Sequence, residues 1–375
     1  MKEIRQIVAA YDQCKLVRKK CALATVVNVQ GSAYRKSGAR MLIAEDGQLT
    51  GAISGGCLEG DAMRKSLNVI QRNQPAVVTY DTMDEDDAIL GVGLGCNGII
   101  HILIEPLDFQ HEMNAVEVLR KCTKSRKNHV VVTFFSLDER KTGRNGTYLC
   151  YDGQEMYGDT GRLPGFFRDE LNQRLEYVFT EAQSNWYTMK ETSVNTEWMA
   201  FCEYILPSIS LVVFGAGNDV IPLTQMAEIL GWEITVIDGR PALAAKERFS
   251  GGCHVIVSKP EKALDRITVD ERTVFALMTH NYNYDKALIP VLLDTPARYI
   301  GMLGPKKKLE RMLEECNEEG IRPDPAHHER IYSPAGLDIG NSTPEEIALS
   351  IVSEINAVMN GKLQSRRKPL VFPAH

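Results

Sequence analysis

No stretch of the 375-residue sequence approaches the roughly 18 consecutive apolar residues that a bilayer-spanning helix needs. The opening residues, Met1-Lys2-Glu3-Ile4-Arg5, are charged and carry no apolar core of signal-peptide length. Positive charge is not in excess: 43 Lys and Arg against 49 Asp and Glu leave a formal net charge of -6. A nucleic-acid-binding surface is therefore not expected. The short cluster Arg366-Arg367-Lys368 reads as a solvated tail. Nine cysteines, an odd number, contain no Cys-x-x-Cys pair, which fits neither a disulfide framework nor a structural zinc site. These absences together point to a globular protein of a reducing cytoplasm, with no membrane partner.

What is present begins with Gly55-Gly56-Cys57-Leu58-Glu59. It follows strand-like residues and opens a helix expected over 58–72. A cysteine there meets the exposed amides and positive end of a helix, which favours thiolate over thiol. A thiolate on an anion-binding turn suits a soft metal or sulfur transfer, so Cys57 is the candidate metal ligand. The glycines let backbone come close to a ligand. A buried cysteine after a tight turn is the plainer alternative.

Around that turn the pattern is mixed helix and strand. Ile4, Ile7, Val8, Tyr11 and Val17 fall near helical spacing, and 21–29 and 39–44 read as strands, with Asp46-Gly47 a hairpin turn. A short strand at 76–80 precedes the acidic run Asp84-Glu85-Asp86-Asp87. The glycine-rich stretch 91–98 follows it, holds Cys96, and leads into a strand at 99–105. His129–Ser136 reads as a strand and 147–157 as a hairpin around Asp152-Gly153. Residues of about 162–196 look polar and irregular.

From about residue 208 the pattern changes. Strands are expected at 209–214, 233–237, 273–278, 299–303 and 330–332, with helices between them, which means a parallel, doubly wound sheet. Gly215-Ala216-Gly217 follows the first strand and Asp238 ends the next, about 20 residues on, as a dinucleotide-binding fingerprint requires. Val220 stands where the fingerprint wants a third small residue. Asn218 and Asp219 are expected to cap the helix. Other strand ends carry Thr279-His280 with Asp285, and Lys306-Lys307-Lys308 at a helix start, where a phosphate could be held. Thr343-Pro344-Glu345-Glu346 reads as a capping box. The fold class expected is α/β: an N-terminal α/β domain over 1–205, of which 110–205 is poorly readable, a Rossmann-like domain over 206–360, and a tail over 361–375.

Taken in order, these residues resemble one family, the xanthine dehydrogenase accessory proteins of the XdhC/CoxI type. The matches are Gly31-Ser32, Arg35, Gly38-Ala39-Arg40-Met41, Gly55 to Glu59 and Gly95-Cys96-Asn97-Gly98 in the first half. In the second they are Gly215-Ala216-Gly217, Asp238-Gly239-Arg240, Thr279-His280, Tyr299 to Gly304, Gly336 to Gly340, and Thr343 to Ala348. Asn97, Asn218 and Val220 depart from the more usual residues.

The resemblance implies a chaperone for molybdenum cofactor (molybdopterin) rather than a metabolic catalyst, with no catalytic residue of its own. It implies xanthine dehydrogenase or a related molybdenum hydroxylase as target, a cysteine desulfurase as a second partner, and a homodimer. Cofactor binding is expected at Cys57, with Gly55, Gly56 and Glu59 shaping the turn, Arg35 and Arg40 neutralising phosphate, and Cys96 a second candidate for the cofactor-binding cysteine. The C-terminal crevice, with Gly215, Gly217, Asp238 and His280, is expected to hold the nucleotide-like part of the cofactor or to dock the target. The alternative is a nicotinamide-dependent (NAD or NADP) oxidoreductase with His280 as proton donor.

Overall fold

Ile4, Ile7, Val8, Tyr11 and Cys14 form the buried stripe of helix α1 (Lys2–Leu16), one turn of apolar residues following another at the spacing of a helix. The computed structural model describes residues 1–81, 98–138, 143–191, 196–321, 324–340 and 342–363. The chain divides into two compact units, Met1–Pro207 and Ser208–His375.

The first unit holds two five-stranded antiparallel sheets. The first is built from β1 (Cys21–Gly31), β2 (Arg40–Ala44), β3 (Leu49–Gly51), β4 (Ala76–Asp81) and β5 (Gly98–Pro106), in the order β3-β2-β1-β5-β4. Alternate residues of β1 serve opposite faces, as strand geometry dictates. Ala22, Ala24 and Val26 pack under helix α2 (Glu59–Arg72), against Ala62, Val69 and Ile70. Leu23 packs on the other face with α1 and helix α3 (Ala115–Lys124). Asn114 caps α3, its side-chain oxygen accepting from the Val116 and Glu117 amides.

The second sheet runs β8-β7-β6-β10-β9. Its strands are β6 (His129–Phe135), β7 (Gly146–Tyr151), β8 (Met156–Gly158), β9 (Asn185–Glu191) and β10 (Thr196–Ile205). Val27 and Leu103 of the first sheet meet Phe135 and Phe201 of the second. The outer face of the second sheet is covered by the short helix α4 (Gly165–Arg168) and by α5 (Leu171–Glu181), through Phe167, Leu171, Leu175 and Val178. The stretch expected to be irregular therefore contains α5 and β9. Only three residues of α5 are buried, and β9 is a half-exposed strand at the sheet edge, so neither shows a strong apolar period.

In the second unit the apolar runs form a six-stranded parallel sheet in the order β13-β12-β11-β14-β15-β16. The strands are β11 (Ser210–Phe214), β12 (Glu233–Asp238), β13 (Cys253–Val257), β14 (Thr273–Leu277), β15 (Tyr299–Met302) and β16 (Ile331–Tyr332). Leu211 and Val213 face helices α6 (Val220–Ile229) and α9 (Pro344–Met359). Val212 and Phe214 face α7 (Tyr282–Leu293), with α8 (Lys306–Glu318) beside it. Burial on both faces explains the unbroken apolar runs. The edge strand β13 is not among the strands expected, because only Cys253 of its five residues is buried. The strand order reverses between β11 and β14, the switch point at which doubly wound sheets open a ligand crevice.

Candidate functional site

The Gly55-Gly56-Cys57 turn is held from below by Ser54. Its hydroxyl accepts from the Gly56 and Leu58 amides at 3.2 and 3.1 Å and donates to a Glu59 carboxylate oxygen. The other Glu59 oxygen accepts from the Ser54 amide at 2.8 Å. Burial pushes the Glu59 carboxyl up, but the Ser54 hydroxyl and the amides outweigh it and hold the group below the usual carboxylate range. Ser54 is thus the side chain that fastens the turn, which sequence reading missed; the N-cap of α2 is Leu58, without a side-chain cap. Its signal is a serine four residues before Leu58, with an acid at the first helical position.

Gly56 has φ +111, a backbone region that side chains rarely adopt, and a Cβ there would meet nothing within 4 Å. Among the described residues, nothing covers Gly56. The Tyr34 ring, itself exposed, reaches Gly55, with ring carbons 3.3 Å from where a Cβ would lie. Cys57 is the exposed member of the described cysteines, and the other seven are buried. The plainer expectation of a buried cysteine does not hold. The expected positive helix end is offset in part by the chain's own carboxylates, since Glu59 and Asp61 occupy the first turn of α2.

The loop after β1 and the start of β5 lie side by side, because Gly31 pairs with Gly98. A Cβ at Gly98 would sit 2.6 Å from the Gln30 and Ser32 carbonyl oxygens, so the close approach needs glycine. Through Tyr34 the same loop touches the cysteine turn. Cys96 and its neighbours at 82–97 lie outside the described residues.

The two arginines differ. Arg35 pairs with Glu3 at 2.6 Å, with both side chains partly exposed. Arg40 is 1% exposed, pairs with Glu203 of β10, and donates to the Gly38 carbonyl at 2.8 Å. Its guanidinium ties β2 of the first sheet to the second sheet. Arg40 is a structural cation, and the expectation that it neutralises a phosphate does not fit its place. Glu203, too far along the chain for any local pattern to flag, is the partner that decides this.

In the second unit Gly215 has φ +111, and a Cβ there would lie 2.2 Å from the Met278 carbonyl oxygen. The turn fits the sheet only as glycine. Asp238 accepts from the Ala216 amide at 2.8 Å and from the Arg240 amide and guanidinium at 2.7 to 2.9 Å. Burial raises the Asp238 carboxyl, yet Arg240 and the two amides bring it below its usual range. Both oxygens are thus committed to the chain itself. Arg248 donates to the Leu243 and Ala216 carbonyls and to the Asn218 side chain at 2.7 Å, fastening the turn.

Asn218 and Asp219 do not cap α6 with their side chains as expected. Asp219 is the N-cap residue without a side-chain cap bond, and its carboxylate pairs with His280 Nε2 at 2.8 Å. His280 is exposed and has φ +54. Asp285, which the sequence placed beside it, instead holds Lys308 at 2.8 Å and accepts from Thr279 at 2.6 Å. Lys306 reaches Glu310. Gly217, Asp219 and His280 do come together, whereas Lys308 is drawn to a buried carboxylate rather than left for a phosphate.

Fold and turns define a class: paired antiparallel sheets bearing an exposed cysteine turn, followed by a dinucleotide-type parallel sheet. Comparison with known proteins agrees. Residues 211–355 match the XdhC Rossmann domain model and residues 17–81 the XdhC and CoxI family model. A protein from Bacillus subtilis (strain 168), described as a probable subunit of xanthine dehydrogenase, is 32% identical over 90% of this chain and 93% of its own. The molybdenum cofactor insertion chaperone PaoD of Escherichia coli (strain K12) is 21% identical over 91% of this chain and 84% of its own. A crystal structure described as a xanthine dehydrogenase from Bacillus halodurans superposes with TM-score 0.74 and 30% identity, covering 98% of each chain. The chain belongs to the XdhC/CoxI family. Among the described residues no helix is long and apolar enough to cross a membrane, and no group of three or more His, Cys, Asp or Glu is placed to hold a metal ion.

Proposed function

We propose that this protein is an accessory factor that binds molybdenum cofactor and delivers it to xanthine dehydrogenase or a related molybdenum hydroxylase. The observation that carries the reading is Cys57, exposed on a glycine turn where no described residue covers Gly56. When bound, the cofactor supplies a molybdenum centre whose sulfur chemistry suits a cysteine ligand. The residues fit such a group in kind: one accessible soft donor, a glycine at position 56 that no described side chain covers, and no carboxylate cage among the described residues. Cys57 would ligate, and Ser54 and Glu59 keep the turn shaped without touching the ligand. Arg35 would take the phosphate. Its pair with Glu3 is partly exposed and worth about 0–1 kcal/mol, so it exchanges readily. The names of the relatives support the accessory role; a cysteine desulfurase as sulfur donor, a homodimer and a cytoplasmic setting are further parts of the proposal.

The nicotinamide alternative is weaker. A dinucleotide's ribose needs Asp238, whose oxygens already bond Ala216 and Arg240, and its pyrophosphate would meet the Asp219 carboxylate. Absence of heat on titrating NAD(H) and NADP(H) to millimolar levels would remove it.

The deciding experiment mixes the purified protein anaerobically with free molybdenum cofactor and measures co-eluting molybdenum and pterin. Stoichiometric retention that Cys57→Ala abolishes is expected. Retention unchanged in Cys57→Ala would refute the role of that residue, and no retention by the wild type would refute the reading.

A further inference from the structure

The loop from Ser32 to Ala39 joins β1 to β2 and carries Tyr34 and Arg35. Backbone bonds close its base, from the Gly38 amide to the Val26 carbonyl at 2.8 Å and from the Ala39 amide to the Lys36 carbonyl at 3.1 Å. Glu3 of α1 fastens its end, accepting from the Arg40 amide at 3.1 Å. From this loop the Tyr34 ring reaches the cysteine turn. Its Cγ, Cδ1 and Cδ2 stand 3.3, 3.3 and 3.4 Å from where a Cβ of Gly55 would be. A point so nearly equidistant from three consecutive ring atoms lies above the ring face, not at its edge. One face of the ring is therefore backed by the Gly55 backbone, and any larger residue at position 55 has to push the ring away. The residue is nonetheless 74% exposed. Among the described residues it makes no hydrogen bond, ring contact or cation contact. Cys57, two residues on from Gly55, is exposed as well. An exposed tyrosine is ordinary by itself. One laid flat on a glycine beside an accessible thiol is a preformed surface.

We propose that the outer face of the Tyr34 ring stacks the flat pyrimidine ring of a pterin, the organic part of the ligand that Cys57 holds. The inference rests on the proposed function and adds how the pterin is gripped. Flat ring systems prefer offset stacking on an aromatic face, and Gly55 keeps that face in place before the ligand arrives. Molybdopterin presents a flat ring, sulfur atoms that hold molybdenum, and a phosphate in one molecule. The loop and the turn present an aromatic face, a thiol and the Arg35 guanidinium. The stack needs neither charge nor hydrogen bond, so it leaves the molybdenum to Cys57 and the phosphate to Arg35. The Tyr34 hydroxyl has no bond to lose among the described residues, so a phenylalanine serves as well there. An aliphatic side chain does not, because it offers no ring. If Tyr34 served only to hold the loop on the turn, an aliphatic residue of similar bulk would do the same work and pterin binding would not change.

The test uses the full chain and 6-hydroxymethylpterin, a pterin with no sulfur, metal or phosphate, followed by saturation-transfer NMR at its ring proton. Saturable transfer is expected from the wild type. Tyr34→Leu should weaken the affinity about ten-fold or more, the size of a base-on-aromatic stack. Tyr34→Phe should keep it within about two-fold, since the ring face is retained. Thermal melts of both variants should match the wild type, the position being exposed. No saturable transfer up to millimolar probe, or equal affinity in wild type and Tyr34→Leu, would overturn the proposal. So would Tyr34→Phe binding as weakly as Tyr34→Leu, which would give the effect to the hydroxyl. Co-elution of molybdenum judges the proposed function separately. Cofactor retained by the wild type with no Tyr34-dependent pterin transfer would refute the stack and leave the accessory role. Tyr34-dependent transfer without retained molybdenum would keep the stack and refute that role.

Discussion

Glu59 accepts from the amide and the hydroxyl of Ser54 while standing at the first position of α2. Its carboxyl lies below the ordinary glutamate value near 4.5. Its contribution is therefore fully present above that value and is lost as pH falls through the lower, folded value. We expect Glu59→Gln to cost about 1 kcal/mol at neutral pH, since an amide accepts more weakly than a carboxylate. The variant should also lose the acid-side fall in stability that this group contributes. Urea melts at pH 7 and pH 4 check both, and equal losses at the two values would remove the ionised Glu59 from the account. Arg40 teaches the opposite lesson at the same scale. A basic residue in a motif looks like an anion ligand until its distant partner, Glu203, is known, and the buried pair then makes it part of the scaffold.

Two glycine turns precede two helices, and they tolerate a methyl group differently. Gly56 and Gly215 share φ +111, which costs an alanine about 1–3 kcal/mol in either place. At Gly56 no described residue adds to that cost, because none lies within 4 Å of a Cβ there. At Gly215 it collides with the Met278 backbone at the end of β14, so strand and turn must part. We expect Gly215→Ala to lose distinctly more stability than Gly56→Ala in urea denaturation, and equal losses would mean that the turn after β11 relaxes freely. The difference has a functional sense at the level of the element. The cysteine turn leaves Gly56 uncovered by any described residue, whereas the dinucleotide-type turn is packed against its own sheet and fastened by Arg248 and Asp238.

The two units differ in how their cores are built. The core clusters on both faces of the parallel sheet are drawn wholly from residues after Ser208. Residues 208–363 produced alone are therefore expected to unfold in a single cooperative transition by circular dichroism. A broad, non-cooperative melt would show that this unit depends on the first. The parallel sheet was legible in the sequence because strands buried on both faces must be apolar throughout, as Leu211 to Phe214 are. The capping box at Thr343 and Glu346 was legible because it is a contact of neighbours. The second antiparallel sheet was legible only in part. Its half-exposed edge strand β9 and the narrowly buried α5 leave little periodicity to read.

By itself the sequence determined what is local: helix and strand periods, turn glycines, caps, and the ordered motifs that mark the family. Local geometry reaches only a few residues, so a pattern on the chain suffices to set it. Tertiary structure alone decided which polar groups serve the fold and which face solvent. It buried Arg40 on Glu203, turned Asp238 onto its own glycine loop, gave Asp285 to Lys308 and Asp219 to His280, and left Cys57 exposed. Each of these depends on which groups meet across strands and helices far apart in the chain, and a charge or a thiol acquires its role from that company.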